Sequence, residues 1–183
     1  MFKNPLVSIL IASYNKEKYV TRCINSCLGQ TYKNIEIIFF DDASNDNSFI
    51  IAKKYKNIKS FKNKIKKKKI KFNTYYQIST YLKAYKKSKG EIITLLDVDD
   101  FWMPTKLNQQ IKYTDNYDVI GTDCRYFGDI NCAPKLPMGD LERFNFFDYN
   151  PIINSSCLIK KELAVWDSTV DGVEDYDLWL KLK

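Results

Sequence analysis

Apolar positions along this chain follow two rhythms. Leu6-Val7-Ser8-Ile9-Leu10-Ile11-Ala12, Ile35-Glu36-Ile37-Ile38-Phe39-Phe40 and Ile92-Ile93-Thr94-Leu95-Leu96 are short, nearly continuous apolar runs. That is the pattern of strands buried on both faces of a parallel sheet. Between them the apolar residues recur at helical spacing. Tyr19, Val20, Cys23, Ile24, Cys27 and Leu28 form one stripe over residues 18–28, stopped by Gly29. Phe49, Ile50, Ala52 and Tyr55 form a second, after turn and N-cap residues at 43–48. Ile78, Tyr81, Leu82 and Tyr85 form a third over residues 75–87, closed by Gly90. Strand, helix, strand, helix predicts right-handed crossovers and a mostly parallel sheet.

Downstream, Pro104 sits as a first-turn residue ahead of a helix over 106–113. Residues 118–122 and 155–159 read as strands, 161–165 as a short helix, and 174–183 as a final helix anchored by Tyr176, Leu178, Trp179 and Leu182. Residues 131–147, with Pro134, Pro137 and Gly139, form an expected loop over the sheet edge. Residues 58–72 are rich in lysine around few apolar positions, with a short strand expected near Ile70.

Composition narrows the class. At 183 residues and 45% hydrophobic content the chain has room for one domain, 1–183, with a substantial core. No apolar run approaches the ~20 residues that span a bilayer, and the start lacks a secretory pattern, so a cytoplasmic location is expected. The net charge of +7 favours anionic partners without choosing among them. The run between Lys62 and Lys71 offers peripheral contact with a membrane surface. Few aromatic residues interleave it, so no nucleic acid is expected. The five cysteines are expected as reduced thiols packed like small core hydrophobes. Histidine is absent, so acid–base work falls to carboxylates, Lys, Tyr or Cys.

The chemistry concentrates where strands end. Asp97, Asp99 and Asp100 crowd the carboxyl end of the 92–96 run, the edge where open α/β sheets bind ligands. Three carboxylates so close are costly without a cation, and Asp97 and Asp99, two apart, are expected to share a hard divalent ion that also holds a diphosphate. Asp41-Asp42 closes the second strand in a similar way. Taken alone, each cluster is as well explained by turns and helix caps.

Five segments together resemble the family 2 glycosyltransferases: Val7 to Asn15; Gln30-Thr31-Tyr32 with Asn34 to Ile37; Asp41 to Ser48; Gly90 to Ile93 with Leu96-Asp97-Val98-Asp99-Asp100 and Trp102 to Leu107; and Glu174 to Trp179. The resemblance implies an α/β protein of GT-A type, a Rossmann-like, mostly parallel sheet with helices on both faces. Residues 1–100 would bind the nucleotide and 101–183 the acceptor. The implied reaction moves sugar from a nucleotide diphosphate sugar, a UDP-sugar by the family's habit, to a hydroxyl of a glycan, lipid or protein, with inversion. Ala12 and Tyr14 match positions flanking the base, and Asp42 the carboxylate that accepts the uracil imide. Asp97, Val98 and Asp99 match the DxD element around ribose, Mg2+ or Mn2+ and diphosphate, with Asp99 the foremost metal ligand. Asp175 matches the general base, with Glu174 as the fallback, and Asn154, Ser155 and Ser156 match a segment near the acceptor.

Two departures stand out. Thr80, Tyr81 and Leu82 occupy positions where the family often carries Ala, Arg and Asn that help hold the donor, so diphosphate contacts would fall to Lys71 or another lysine. The chain also stops at the Glu174 helix, where family members usually continue. A short natural form, a domain cut from a longer protein and an impaired enzyme that only binds sugar nucleotides all remain open. A nucleotidyltransferase is disfavoured, because Ser13-Tyr14-Asn15-Lys16 is not a glycine-rich loop.

Overall fold

A computed structural model of the chain describes residues 4–64, 77–167, 169–170 and 172–183. The elements are β1 (Val7–Ser13), α1 (Glu17–Leu28), β2 (Ile35–Asp41), α2 (Ser48–Lys53), β3 (Lys59–Lys62), α3 (Gln77–Tyr85), β4 (Ile92–Asp97), α4 (Lys106–Gln110), β5 (Val119–Ile120), β6 (Leu158–Lys160) and α5 (Glu174–Leu182). Among the described residues the strands form one six-stranded sheet in the order β3-β2-β1-β4-β6-β5. The β1, β2, β3 and β4 neighbours pair in parallel, whereas β6 runs antiparallel to β4 and β5.

The side-chain alternation of β1 divides the core in two. Val7, Ile9 and Ile11 face a layer containing Val20, Cys23, Ile24 and Cys27 of α1, Ala52 of α2 and Leu107 of α4. Leu10 and Ala12 face Ile78, Tyr81 and Ala84 of α3 with Leu178 and Trp179 of α5. Helices therefore cover both faces. The chain winds outward from β1 through β2 to β3, then returns on the other side of β1 as β4. The carboxyl edge at that reversal is where sheets of this kind bind ligands.

The opposite edge is closed by packing. A Cβ on Gly90 would lie 2.4 Å from the Leu6 carbonyl oxygen and 2.7 Å from Ser8 Oγ, so only glycine fits before β4. Its N–H donates to Ser8 Oγ at 2.9 Å, and Glu91 Oε2 accepts from the Leu6 N–H at 2.7 Å. Burial acts upward on the Glu36 carboxyl, but hydrogen bonds from Lys59, Ser8 and the Lys89 N–H outweigh it and hold it below the usual range.

Several expectations shift. The strand expected at 155–159 begins later, because residues 154–156 coil into a 3-10 turn before β6. The helix expected at 106–113 divides into α4 and a 3-10 turn over Ile111–Tyr113, and 161–165 is a 3-10 turn over Lys161–Leu163. Cys23, Cys27 and Cys157 are buried as expected, but Cys124 is half-buried and Cys132 exposed, since both lie in the irregular stretch after β5. The strand expected near Ile70 and most of the lysine run lie outside the described residues, whereas β3 forms earlier. Lys62, at the start of that run, turns inward: Nζ donates to the Ser44 carbonyl at 2.9 Å and lies 3.7 Å from Asp41 Oδ1. Among the described residues no helix is long and apolar enough to cross a membrane.

Candidate functional site at the carboxyl edge

The turns leaving β1 and β2 are locked to each other. Asn15 N–H donates to Ser44 Oγ at 2.9 Å, Lys16 N–H to Ser48 Oγ at 3.0 Å, and Glu17 N–H to Asp46 Oδ2 at 3.0 Å. In return Asn45 N–H donates to Asn15 Oδ1 at 2.9 Å. Asn15 and Ala43 hold positive φ, 51° and 59°, to make these turns. Asparagine tolerates that conformation; alanine is strained there by about 1–2 kcal/mol. Polar residues 44–48 are thus chosen by turn geometry, and their hydroxyls and carboxylates answer the loop N–H groups that the strands leave unpaired.

The two adjacent aspartates at the end of β2, Asp41 its last residue and Asp42 the next, divide their roles. Asp41 is fully buried, and its Oδ1 accepts from the Ser44 N–H at 2.9 Å, which holds the turn. Asp42 instead reaches a cavity of about 500 Å³ whose wall comprises Ala12, Ser13, Tyr14, Lys16, Asp42, Thr80, Asp97, Val98 and Asp99. All six residues expected around the donor, Ala12, Tyr14, Asp42, Asp97, Val98 and Asp99, meet there. Asn63 Nδ2 donates to Asp42 Oδ1, and Lys83 Nζ donates to Asn63 Oδ1 at 2.6 Å, so α3 and the end of β3 together orient the carboxylate.

At the other end, the acidic turn after β4 is held from three sides. Tyr81, buried on α3, donates its hydroxyl to Asp97 Oδ1 at 2.7 Å. Asp97 N–H donates to Ser155 Oγ at 3.0 Å, and Trp102 Nε1 donates to the Ser155 carbonyl at 2.7 Å. Lys16 Nζ meets Asp99 Oδ2 at 2.6 Å, and the Arg22 guanidinium donates to the Asp99 carbonyl at 2.8 Å. Burial pushes the Asp97 carboxyl above the ordinary range; hydrogen bonds from Tyr81 and Asn154 oppose this, and the charges of Asp100 and Asp99 add to it. Asp100 is raised chiefly by burial, against a hydrogen bond with Ser155.

This excess of carboxylate over cation fits a hard divalent ion such as Mg2+ or Mn2+. Among the described residues no group of three or more His, Cys, Asp or Glu converges on one point. Asp99 and Asp97, both in the cavity wall, are the carboxylates that could hold such an ion together with donor phosphates, the mode usual for Mg2+.

Glu174 and Asp175 do not line this cavity. They begin α5, which is docked by Trp179, 1% exposed, whose Nε1 donates to the Ile152 carbonyl at 3.2 Å, and by Tyr176, whose hydroxyl donates to the Phe146 carbonyl. Asp175 lies one turn before Trp179, on the same side of the helix. Its Oδ2 accepts from Asn150 Nδ2 at 3.0 Å, and Asn150 Oδ1 accepts from the Ile152 N–H at 3.1 Å, which sets the amide's orientation. Asn154, Ser155 and Ser156 fall on the 3-10 turn against β4, where Asn154 and Ser155 bond to the acidic turn.

Lys16 and Ser13 were not legible as site residues, and Thr80 and Tyr81 were marked only by standing where the family often carries Ala and Arg. Lys16 leaves the same strand as Tyr14, and that adjacency was the one available signal; Lys71, the lysine named from the sequence, lies outside the described residues. Tyr81 occupies the expected arginine position and is turned to Asp97.

The family model described as "Glycosyl transferase family 2" matches residues 8–160. An Escherichia coli relative, the UDP-Glc:alpha-D-GlcNAc-diphosphoundecaprenol beta-1,3-glucosyltransferase WfaP, is 30% identical over 97% of this chain and 70% of its own length. An uncharacterized glycosyltransferase of Rickettsia typhi is 30% identical over 97% of this chain, which spans 58% of that relative. Among solved structures, Staphylococcus aureus TarS in complex with UDP matches with TM-score 0.75 at 19% identity, over 96% of this chain and 54% of that one. The mannosyltransferase PcManGT of Pyrobaculum calidifontis, in complex with GDP-Man and Mn2+, matches with TM-score 0.70 at 15% identity, over 99% of this chain and 52% of its own. The structural neighbours share the fold, which is that of the GT-A glycosyltransferases, and this chain spans about half of their length. On the match of its residues 8–160, the chain belongs to glycosyltransferase family 2.

Proposed function

We propose that this chain carries the donor-binding and catalytic parts of an inverting glycosyltransferase that moves sugar from a nucleotide diphosphate sugar, a UDP-sugar, to an acceptor hydroxyl. The observation that carries the reading is the meeting of Tyr14, Asp42, Lys16, Asp97 and Asp99 in one cavity at the carboxyl edge. Tyr14 and Ala12 flank the base, with Asp42 accepting its ring N–H. Lys16, already an ion-pair partner of Asp99, turns to the diphosphate and takes over the charge that the family assigns to an arginine.

A divalent ion held by Asp99 and Asp97 would supply Lewis acid stabilisation of the departing diphosphate. The remaining work belongs to the chain's own residues. Tyr81 and Ser155 fix the acidic turn, and Asn150 fixes the Asp175 carboxylate. Asp175 takes the proton of the acceptor hydroxyl as its oxygen attacks the anomeric carbon. The bond from that carbon to the diphosphate oxygen breaks on the opposite face, releasing nucleoside diphosphate and an inverted glycoside. The acceptor is a glycan or a lipid-linked sugar, in keeping with what the E. coli relative's name says of that protein. Residues 1–100 act as the nucleotide half of one domain and 101–183 as the acceptor half, working in the cytoplasm.

Calorimetric titration of UDP, GDP and UDP-sugars, with and without Mn2+, tests the reading on the wild type, Asp99→Ala and Asp175→Asn. Metal-dependent UDP binding lost in Asp99→Ala and retained in Asp175→Asn, with donor turnover lost in both, is expected. Nucleotide binding indifferent to Asp99 would overturn the metal assignment, and unchanged turnover in Asp175→Asn would remove the base. Binding by the wild type without turnover of any donor would identify a sugar-nucleotide binder instead.

A further inference from the structure

Thr80 is the one cavity residue whose chemistry the reading above leaves unused on α3. It is 1% exposed, it lines the same wall as Asp42 and Asp97, and its Oγ1 has no hydrogen-bond partner among the described residues. A buried hydroxyl without a partner is uncommon, because its desolvation is uncompensated. Its helix neighbours define where it stands. Tyr81, the next residue, reaches Asp97 on β4. Lys83, one turn on and on the same flank, reaches Asn63 and through it Asp42 on β2. Thr80 therefore lies between the two acids, over the sheet face that carries Ala12.

We propose that Thr80 is a base-reading residue that donates its hydroxyl to a ring carbonyl of uracil while Asp42 accepts the adjacent ring N–H. This rests on the nucleotide-sugar reading and deepens it by naming how the base is selected. The Asn63 amide holds Asp42 Oδ1, and the ammonium of Lys83 turns that amide with its donor side toward Asp42. Asp42 is thereby kept an acceptor, and its partner must bring an N–H. In uracil the ring N–H stands between two carbonyls, so a hydroxyl beside Asp42 finds an acceptor next to the donor that Asp42 receives. Cytosine turns a ring nitrogen lone pair to the same carboxylate and is rejected.

The test is calorimetry with Mn2+ on the wild type, Thr80→Val and Thr80→Ser, using UDP, CDP, GDP, 2-thio-UDP and 4-thio-UDP. The wild type is expected to bind UDP about a hundredfold more tightly than CDP or GDP. Thr80→Val should lose about tenfold for UDP, and Thr80→Ser should keep wild-type affinity. Sulfur is a poor acceptor, so one thio analogue should bind the wild type about tenfold more weakly than UDP, and that penalty should vanish in Thr80→Val. Removing the unpartnered hydroxyl should also raise the melting temperature of the ligand-free protein by about 2–4 °C, which excludes misfolding as the cause of weaker binding. Equal UDP affinity in Thr80→Val and wild type, or a thio penalty unchanged by the substitution, would overturn the role of Thr80 while leaving the nucleotide reading intact. A wild type that binds no nucleotide would sink both.

Discussion

The Tyr81 hydroxyl lies 2.7 Å from Asp97 Oδ1, so helix α3 and strand β4 are joined at the first acid of the Asp97-Val98-Asp99 turn. A neutral phenol takes the place of an expected arginine, and it orients the carboxylate without cancelling its charge.

Tyr81→Phe removes that single donor and keeps the packing. A hydrogen bond to a charged group contributes about 1.5–3 kcal/mol. Mn2+-dependent UDP binding should weaken by about tenfold or more, with the fold retained by circular dichroism. Unaltered nucleotide affinity would mean that Tyr81 serves packing alone.

Lys16→Met separates stability from binding. The side chains of Lys16 and Asp99 are 40% and 44% exposed, and ion pairs so exposed contribute about 0–1 kcal/mol to folding. The melting temperature should hardly move. UDP affinity should fall about tenfold, and its decline with added salt should become shallower, because a phosphate contact is lost. A variant that binds UDP as the wild type does would return the diphosphate role to another residue.

Lys106 predicts a pH dependence of folding. Burial pulls its ammonium from the usual 10.5 down to about 7. The Trp102 ring face, 4.1 Å from Nζ, and Gln110 Oε1 at 2.8 Å favour the charged form and oppose that shift. The unfolded chain takes up the proton below about pH 10.5 and the folded chain only below about 7, so the unfolded state holds more protons in between. Stability should therefore rise with pH from 7 toward 10.5, by at most about 1.4 kcal/mol per pH unit. Urea denaturation at pH 7, 8 and 9 should show this slope reduced in Lys106→Met. Parallel curves for the two proteins would show that Lys106 stays charged throughout.

The sheet was legible because parallel strands buried on both faces leave apolar runs that polar loops interrupt, and Val7, Ile37 and Ile93 sit within such runs. Helix ends were less so. Ser155 and Ser156 open the stretch 155–159 that reads as a strand, yet they coil because Ser155 is drawn to the Asp97 N–H and to the Trp102 indole. Those partners are 53 and 58 residues away, beyond any local signal.

The sequence alone determined which acids close the strands, Asp42 after β2, Asp97 at the end of β4 and Asp99 just beyond it, since a strand's length and direction place its last residues at one edge. Only the tertiary structure decided how those acids are used. Asp41 turns into the core to hold a loop while Asp42 reaches the cavity, Tyr81 rather than an arginine meets Asp97, and Lys16 meets Asp99. The physical reason is that periodicity records burial one residue at a time, whereas a hydrogen bond across the crevice depends on how two helices and three strands settle against one another.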